Sequence, residues 1–176
     1  MRPAGQQVFQ PIRGILRIAS LSAILAGGCS YGFAGGGLPA GIRTVAVLPF
    51  ENLTSDPTLT SEINRAVREA VQDRLGLRQA GENQADALVR GTITRYEPDL
   101  PVSFTAAENN QVNVNKRLLQ IVVSVEIYNQ RDEKVLWKRD GLLVEGDYET
   151  GREADGRKRA LDRLITNIVD GAQSQW

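Results

Sequence analysis

Residues 119–128, Leu-Gln-Ile-Val-Val-Ser-Val-Glu-Ile-Tyr, form the clearest alternating stretch of the chain. The apolar side chains that share one side are Leu119, Ile121, Val123, Val125 and Ile127. The side chains between them are mostly polar: Gln120, Val122, Ser124, Glu126 and Tyr128. A period of two predicts a β-strand with one face buried and the other toward water or a partner. Other parts of the chain must therefore cover the apolar face.

A hairpin follows this strand. Residues 129–133, Asn-Gln-Arg-Asp-Glu, have the polar composition of a loop, and Val135 and Trp137 begin a further strand that extends toward Tyr148. The alternation slips at residues 140–143, Asp-Gly-Leu-Leu, which predicts a β-bulge.

Two further strands are predicted before residues 119–128. A β-rich run over residues 44–50 reaches Pro49, which is expected to end it or to place it at an edge, and residues 51–57 have turn composition. A second strand is predicted from Leu88 to Glu97, closed by Pro98 and Pro101, with a polar loop over residues 104–111.

Two amphipathic helices complete the pattern. One apolar stripe recurs at three- and four-residue spacing over residues 59–75 and stops before Gly76, and a second covers residues 161–172. The order β-α-β-β-β-α predicts an α+β fold, a two-layer sandwich of one mixed four-stranded sheet with both helices on one face. In this arrangement the strand side chains pack under the helices through Val67, Val71, Leu164 and Ile168.

The single cysteine, Cys29, follows a stretch of sequence with the features of a secretory signal. Arg2, Arg13 and Arg17 precede a short apolar run that ends in Gly27-Gly28-Cys29, which is the order of a secretory signal. The run is about half the roughly 20 apolar residues that a membrane-spanning helix needs. The pattern resembles a bacterial lipobox, although Ala26 stands where leucine is usual. An uncleaved anchor or an ordinary signal peptide with a chance cysteine is the alternative.

These features divide the chain into three parts. Residues 1–28 are the predicted lipoprotein signal peptide, residues 29–41 a flexible tether after a lipidated Cys29, and residues 42–176 a single α+β domain. The glycines at 35–37 fit this tether better than a phosphate-binding loop, because no lysine follows them. The domain has no disulfide and must be held by burial alone.

Composition excludes several functions. The chain has 21 basic and 21 acidic residues, so loss of the three leading arginines leaves a mildly acidic protein, which argues against nucleic-acid binding driven by bulk charge. No histidine is present, which excludes Ser-His-Asp and Cys-His catalysis and the commonest metal ligand. No Walker A or dinucleotide motif appears. We therefore expect neither an enzyme nor a protein with a metal or cofactor.

A family resemblance covers nearly the whole mature part. Cys29 followed by Tyr31-Gly32, the Leu38-Pro39 pair, the stretch Ile42 to Asn52, the long alternating strand with its hairpin, and a C-terminal helix resemble the LPS-assembly lipoprotein family LptE. The resemblance implies the same two-layer sandwich. It also implies an outer-membrane lipoprotein that plugs and helps assemble the LptD β-barrel, and that contacts lipopolysaccharide during delivery to the outer leaflet.

Two other classes stay open beside it. The Val-Leu-Pro-Phe-Glu-Asn run over residues 47–52 also resembles periplasmic modules of the TolB and CsgG type, so a secretion-pore or envelope-scaffold lipoprotein is the alternative. A hydrolase would need a base beside Ser103 or Ser124, and no histidine can supply it. Ser30, rather than aspartate, follows Cys29, which favours anchoring on the periplasmic side of the outer membrane.

A lipopolysaccharide site should combine cationic side chains with apolar surface, because the ligand carries phosphates and acyl chains. Arg90, Arg95, Lys116 and Arg117 flank the loop between the second and third predicted strands and are the candidate ligand-binding residues, as a basic cluster at one end of the sheet. Scattered solvated charges are the alternative. A second basic run, Arg157 to Arg159, is interpreted as a solvated helix face.

Overall fold

The computed structural model describes residues 38–39, 41–106 and 112–174, without the side chains of residues 103–106 and 112–115. Cys29, the predicted signal peptide and most of the predicted tether lie outside the described residues, as does the greater part of the predicted loop over residues 104–111.

The elements follow the predicted order with two short additions. The strands are β1 (Thr44–Val47), β2 (Glu51–Asn52), β3 (Arg78–Gln79), β4 (Ala87–Ala106), β5 (Val112–Asn129) and β6 (Lys134–Glu149). The helices of the described residues are α1 (Thr58–Asp73), between β2 and β3, and α2 (Glu153–Gln173), after β6, and a 3₁₀ turn occupies Glu82–Gln84.

The sheet is mixed, with strand order β3-β1-β4-β5-β6 and β2 paired to β4. β1 runs parallel to β3 and β4, whereas β4, β5 and β6 form an antiparallel meander. Both helices pack on one face. The prediction of an α+β two-layer sandwich is confirmed. In the part of the chain that the structure describes, the sheet has six strands rather than four, because the two-residue strands β2 and β3 are added.

β5 lies inside the meander and defines both faces of the sheet. Its five odd-numbered apolar side chains from Leu119 to Ile127 are at most 1% exposed. They form one core with the helix residues Val67, Val71, Leu164 and Ile168, as predicted from the period-two pattern. We call this buried side the inner face. The even-numbered side chains of β5 from Lys116 to Tyr128 lie on the outer face, where they are half-buried or, at Lys116, exposed.

The predicted end of the strand at Pro98 and Pro101 is wrong. β4 continues through both prolines to Ala106, with Leu100 opposite Leu118 and Pro101 opposite Arg117. Beyond Ile93, where β2 ends, β4 has a described strand neighbour on only one side, namely β5. Proline is tolerated along such an edge because no ladder bond is required of its missing N–H. Register shifts flank each proline and absorb the irregularity.

The predicted bulge in β6 is confirmed. The register passes from Val123 opposite Leu142 to Val125 opposite Arg139, so β6 carries an extra residue in the Asp140-Gly141 region. Gly141 adopts φ +61°, a conformation that glycine reaches without steric cost.

Glycines set how closely α2 approaches the sheet. A Cβ on Gly146 of β6 would lie 1.8 Å from the carbonyl oxygen of Gly156, and one on Gly171 would lie 2.3 Å from the Trp137 ring. The helix therefore docks directly on the last strand, which brings its charged side chains to the strand's free edge.

The buried carboxylate of Asp86 links the start of the domain to the β5–β6 hairpin. Asp86, 4% exposed, accepts hydrogen bonds of 2.9 Å from the backbone N–H groups of Arg43 and Thr44, and it pairs with Arg131. These contacts tie the first strand to the β5–β6 hairpin.

Candidate interaction surface

The outer face of the sheet carries no helix in the described part of the chain. Its side chains form cross-strand rows rather than an apolar layer: Arg90 with Glu126, and Gln120 with Glu145 at 2.7 Å. An open groove of about 360 Å³ runs over the bulge of β6, between Pro49, Arg90, Ser124 and the Lys138–Asp140 ion pair. Exposed Leu143, opposite Val122 on β5, adds apolar surface. The face is amphipathic and suited to a partner that is itself partly polar.

The four predicted ligand-binding residues do not form one basic cluster. In the β4–β5 register, Arg90 lies opposite Glu126 and Arg95 opposite Val122, whereas Arg117 lies opposite Pro101. At about 3.4 Å per residue, six positions of β5 separate the level of Arg95 from Lys116 by roughly 20 Å. The predicted cluster depends on a strand that ends at the prolines, because only such an end places all four residues beside one loop.

Two of the four cations are neutralised. Arg90 pairs with Glu126 at 2.6 Å, and its guanidinium lies 5.4 Å from the centre of the Tyr128 ring. Arg117 pairs with Asp99, which also accepts from the Tyr148 hydroxyl at 3.3 Å. The hydrogen bond that Arg117 donates to Asp99 raises the pKa of the Arg117 guanidinium, so this residue stays charged and engaged.

The other two are available. Among the described residues, neither Arg95 nor Lys116 has a carboxylate within ion-pair distance. Both are exposed, and the β5 register assigns both to the outer face. Lys116 borders a shallow pocket of about 200 Å³ with Asp147, Glu149 and Arg152.

Arg157 is not a solvated residue, which corrects the interpretation of the second basic run. Its side chain is 19% exposed and reaches Asp56 at 3.0 Å, Glu153 at 3.3 Å and Glu62 at 3.5 Å. It also donates to the Tyr96 hydroxyl at 2.7 Å and lies 5.2 Å from the centre of that ring. We call these five residues the Arg157 cluster, which links α1, α2 and β4.

The electrostatics of this cluster follow from its contacts. The hydrogen bond from the Thr58 hydroxyl lowers the pKa of Asp56, and the Arg157 charge acts in the same direction against the effect of burial. Burial raises the pKa of the Tyr96 hydroxyl well above its usual range. Asp56 is therefore ionised and Tyr96 neutral at physiological pH.

Sequence reasoning missed this cluster, although one signal was present. An arginine in the first turns of a helix opposes the helix dipole, and such a residue needs a compensating carboxylate. The turn residue Asp56, 101 positions earlier in the chain, supplies it, and that pairing depends on the tertiary fold. Of the same basic run, Arg159 pairs with Asp147 at 2.9 Å.

The described residues contain no group of three or more potential ligands that could hold a metal ion. No helix among them is long and apolar enough to cross a membrane.

Comparison with known proteins gives one family. The model of the LptE family, described as lipopolysaccharide-assembly, matches residues 42–171, which is most of the chain. No curated protein matches the sequence.

Comparison with solved structures gives matches of low sequence identity. The protein XCC0632 from Xanthomonas campestris has a TM-score of 0.50 at 12% identity, over 79% of this chain and 90% of that one. The PelC dodecamer from Paraburkholderia phytofirmans gives 0.48 at 15% identity over 78% and 94%. Lipoprotein GNA1162 from Neisseria meningitidis gives 0.43 at 13% identity over 73% and 96%. At these identities the likeness to the Xanthomonas protein concerns the fold alone.

Proposed function

Because the chain belongs to the LptE family of lipopolysaccharide-assembly proteins, we propose that it is a lipid-anchored plug for an LptD-like outer-membrane β-barrel. In this role it helps the barrel to assemble and assists the delivery of lipopolysaccharide to the outer leaflet. The observation that carries the proposal, beside family membership, is the outer face of the sheet: it is long, amphipathic and without a covering helix in the described residues.

The polar side chains on the outer face of the sheet support a plug. A barrel that encloses a folded domain needs well over about 16 strands. Its inner wall is polar and lined by alternating side chains, which matches the cross-strand charge rows around Arg90 and Gln120. The family match favours this role over the secretion-pore alternative.

A lipid on Cys29 would hold the domain at the membrane. The tether of residues 29–41 spans at most about 45 Å when extended. Mass spectrometry of the processed protein tests the anchor: we expect a diacylglycerol-modified Cys29 at the new N-terminus, and a free thiol there would contradict it.

The experiment for the plug is a mild-detergent purification of the lipidated chain from its own cells. We expect one β-barrel protein to be recovered in equal amount with it. Cys29→Ala serves as the control for anchoring, because that position precedes the predicted domain, which begins at residue 42. Recovery of the chain alone, or as a ring of identical copies, would favour the secretion-pore class.

Lipopolysaccharide contact is proposed for Arg95 and Lys116, the two predicted cations that lack an ion-pair partner among the described residues. Arg95→Glu with Lys116→Glu should weaken lipopolysaccharide binding, and the loss should shrink as salt screens the phosphates. Arg65→Glu with Lys158→Glu, at exposed positions of α1 and α2, is the matched control and should bind like the natural chain. Equal binding by both variants at low salt would remove this pair as the site.

A further inference from the structure

β6 is the last strand of the described sheet, so one of its long edges has no neighbouring strand among residues 38–39, 41–106 and 112–174. Such an edge presents unpaired N–H and C=O groups to which another chain can pair. In an antiparallel ladder, a residue whose carbonyl points away from its partner also points its N–H away. The carbonyls of Glu145 and Asp147 accept hydrogen bonds from α2 rather than from β5. The backbone N–H and C=O groups of these two residues therefore point toward the free edge of β6.

Two arginines of α2 occupy these edge carbonyls. Arg159 Nη1 donates to the backbone oxygen of Asp147 at 2.6 Å and to its carboxylate at 2.9 Å. Arg163 Nη1 donates to the backbone oxygen of Glu145 at 2.8 Å, and its second nitrogen lies 3.8 Å from the Asp147 carboxylate. Both side chains are about half exposed, so they lie over the edge and are not buried beneath it.

Arg159 reaches the Asp147 carboxylate from the opposite face of the sheet. The helices lie on the inner face, whereas the β5–β6 register places Asp147 opposite Leu118 on the outer face. Arg159 therefore has to pass around the free edge of β6 to reach the Asp147 carboxylate. The contact of Gly146 with Gly156 permits this, because it seats α2 directly against the strand.

The rest of the β6 edge is interrupted by other means. The bulge near Gly141 breaks the regular spacing of edge groups, and Lys138, Arg139 and Asp140 carry charge into this part of the strand. Leu143, which lies between the bulge and the two arginine contacts, is 49% exposed. Because it alternates with Glu145 and Asp147 along the strand, its backbone N–H and C=O groups also point toward the free edge. Without the two arginines, the backbone groups of Leu143, Glu145 and Asp147 would therefore form a regular stretch of edge to which another strand could pair.

We propose that Arg159 and Arg163 close the β6 edge against strand addition by a second copy of this chain, and so keep the protein monomeric. A second copy is the fitting occupant because the same edge on two molecules can pair antiparallel around a two-fold axis, which is self-complementary. Each copy then supplies the N–H and C=O groups of Leu143, Glu145 and Asp147. This inference is independent of the proposed function.

The test compares the full chain, produced without the barrel protein, with the variant Arg159→Ala plus Arg163→Ala in mild detergent. Light scattering that separates protein mass from detergent mass gives the mass of each. The natural chain should keep the mass of one copy at all concentrations. The double variant should double its protein mass as concentration rises. Its amides at Leu143, Glu145 and Asp147 should lose their fast hydrogen exchange in the dimer.

The matched control is Arg65→Ala plus Arg68→Ala, which removes the same charge from α1 without touching the edge. It should remain monomeric. A double variant that stays folded and monomeric, with unchanged exchange at the edge, would overturn the proposal.

A single variant covers the case in which the double variant unfolds. Arg163→Ala frees only the Glu145 carbonyl and leaves Arg159 in place. A weaker dimer with slowed exchange at Glu145 supports edge closure, and a monomer with unchanged exchange rejects it.

Discussion

At the scale of single residues, the most consequential side chains are charged groups that are paired rather than free. Arg157 is surrounded by Asp56, Glu62 and Glu153, and Glu62 Oε2 is buried without a hydrogen-bond partner among the described residues. Removing one member of a buried ionic group leaves the others desolvated and unpaired, which costs more than the intact pairing contributes.

Arg157→Ala should therefore lower the free energy of unfolding by about 2–3 kcal/mol, below the usual range for a fully buried pair because 19% of the side chain is exposed. Thermal and denaturant unfolding measure this loss. Lys158→Ala, the exposed neighbour, should change stability by less than about 0.5 kcal/mol. Similar small effects for both variants would show that the Arg157 cluster does not hold the helices to β4.

Asp86 gives the domain an acid-sensitive contact. Hydrogen bonds from the Arg43 backbone and from Thr44 lower its pKa from the ordinary value of 3.8. The unfolded chain then binds the proton first, so the contribution to stability is complete above about pH 4 and is lost as pH falls through the folded-state pKa.

Asp86→Asn should be less stable than the natural chain at pH 7 and should lose less stability between pH 5 and pH 3. Denaturant unfolding across that range makes the comparison. Asp73→Asn, at the exposed end of α1, should follow the natural chain. If Asp86→Asn loses as much stability between pH 5 and pH 3 as the natural chain, the acid sensitivity comes from other carboxylates, such as Asp56.

At the scale of elements, β5 organises the sandwich and its pattern predicts its two faces. Its alternation is uninterrupted from Leu119 to Tyr128, whereas β4 and β6 carry the bulges. The core between β5 and the helices could therefore be predicted from the sequence. The bounds of β4 could not, because tolerance of Pro98 and Pro101 depends on which edge of the strand lacks a neighbour.

Val123→Ala and Val122→Ala form a matched pair for this element. Val123 is fully buried under the helices, so its truncation should cost about 2–3 kcal/mol through lost burial and an unfilled cavity. Val122, on the half-buried outer face, should cost less than about 1 kcal/mol. Chemical denaturation decides between them, and a reversed order would mean that the face assignment is wrong.

At the scale of the whole molecule, family and layer order were accessible from the sequence, but the arrangement of the interaction surface was not. Alternation and amphipathic stripes specify which residues are buried, and local patterns suffice for that. Whether Arg90, Arg95, Lys116 and Arg117 lie together depends on the β4–β5 register over twenty residues, which is a property of the assembled sheet. The same holds for the pairing of Arg157 with Asp56.

We propose that the outer face of the sheet is the surface that meets a barrel wall. Photocrosslinking in living cells tests it most directly, with a photoreactive amino acid in place of Val122 on the outer face or of Glu69 on α1. We expect the Val122 position to crosslink to an outer-membrane β-barrel protein, more strongly than the Glu69 position. Crosslinks to such a protein from position 69 but none from position 122 would contradict the claim.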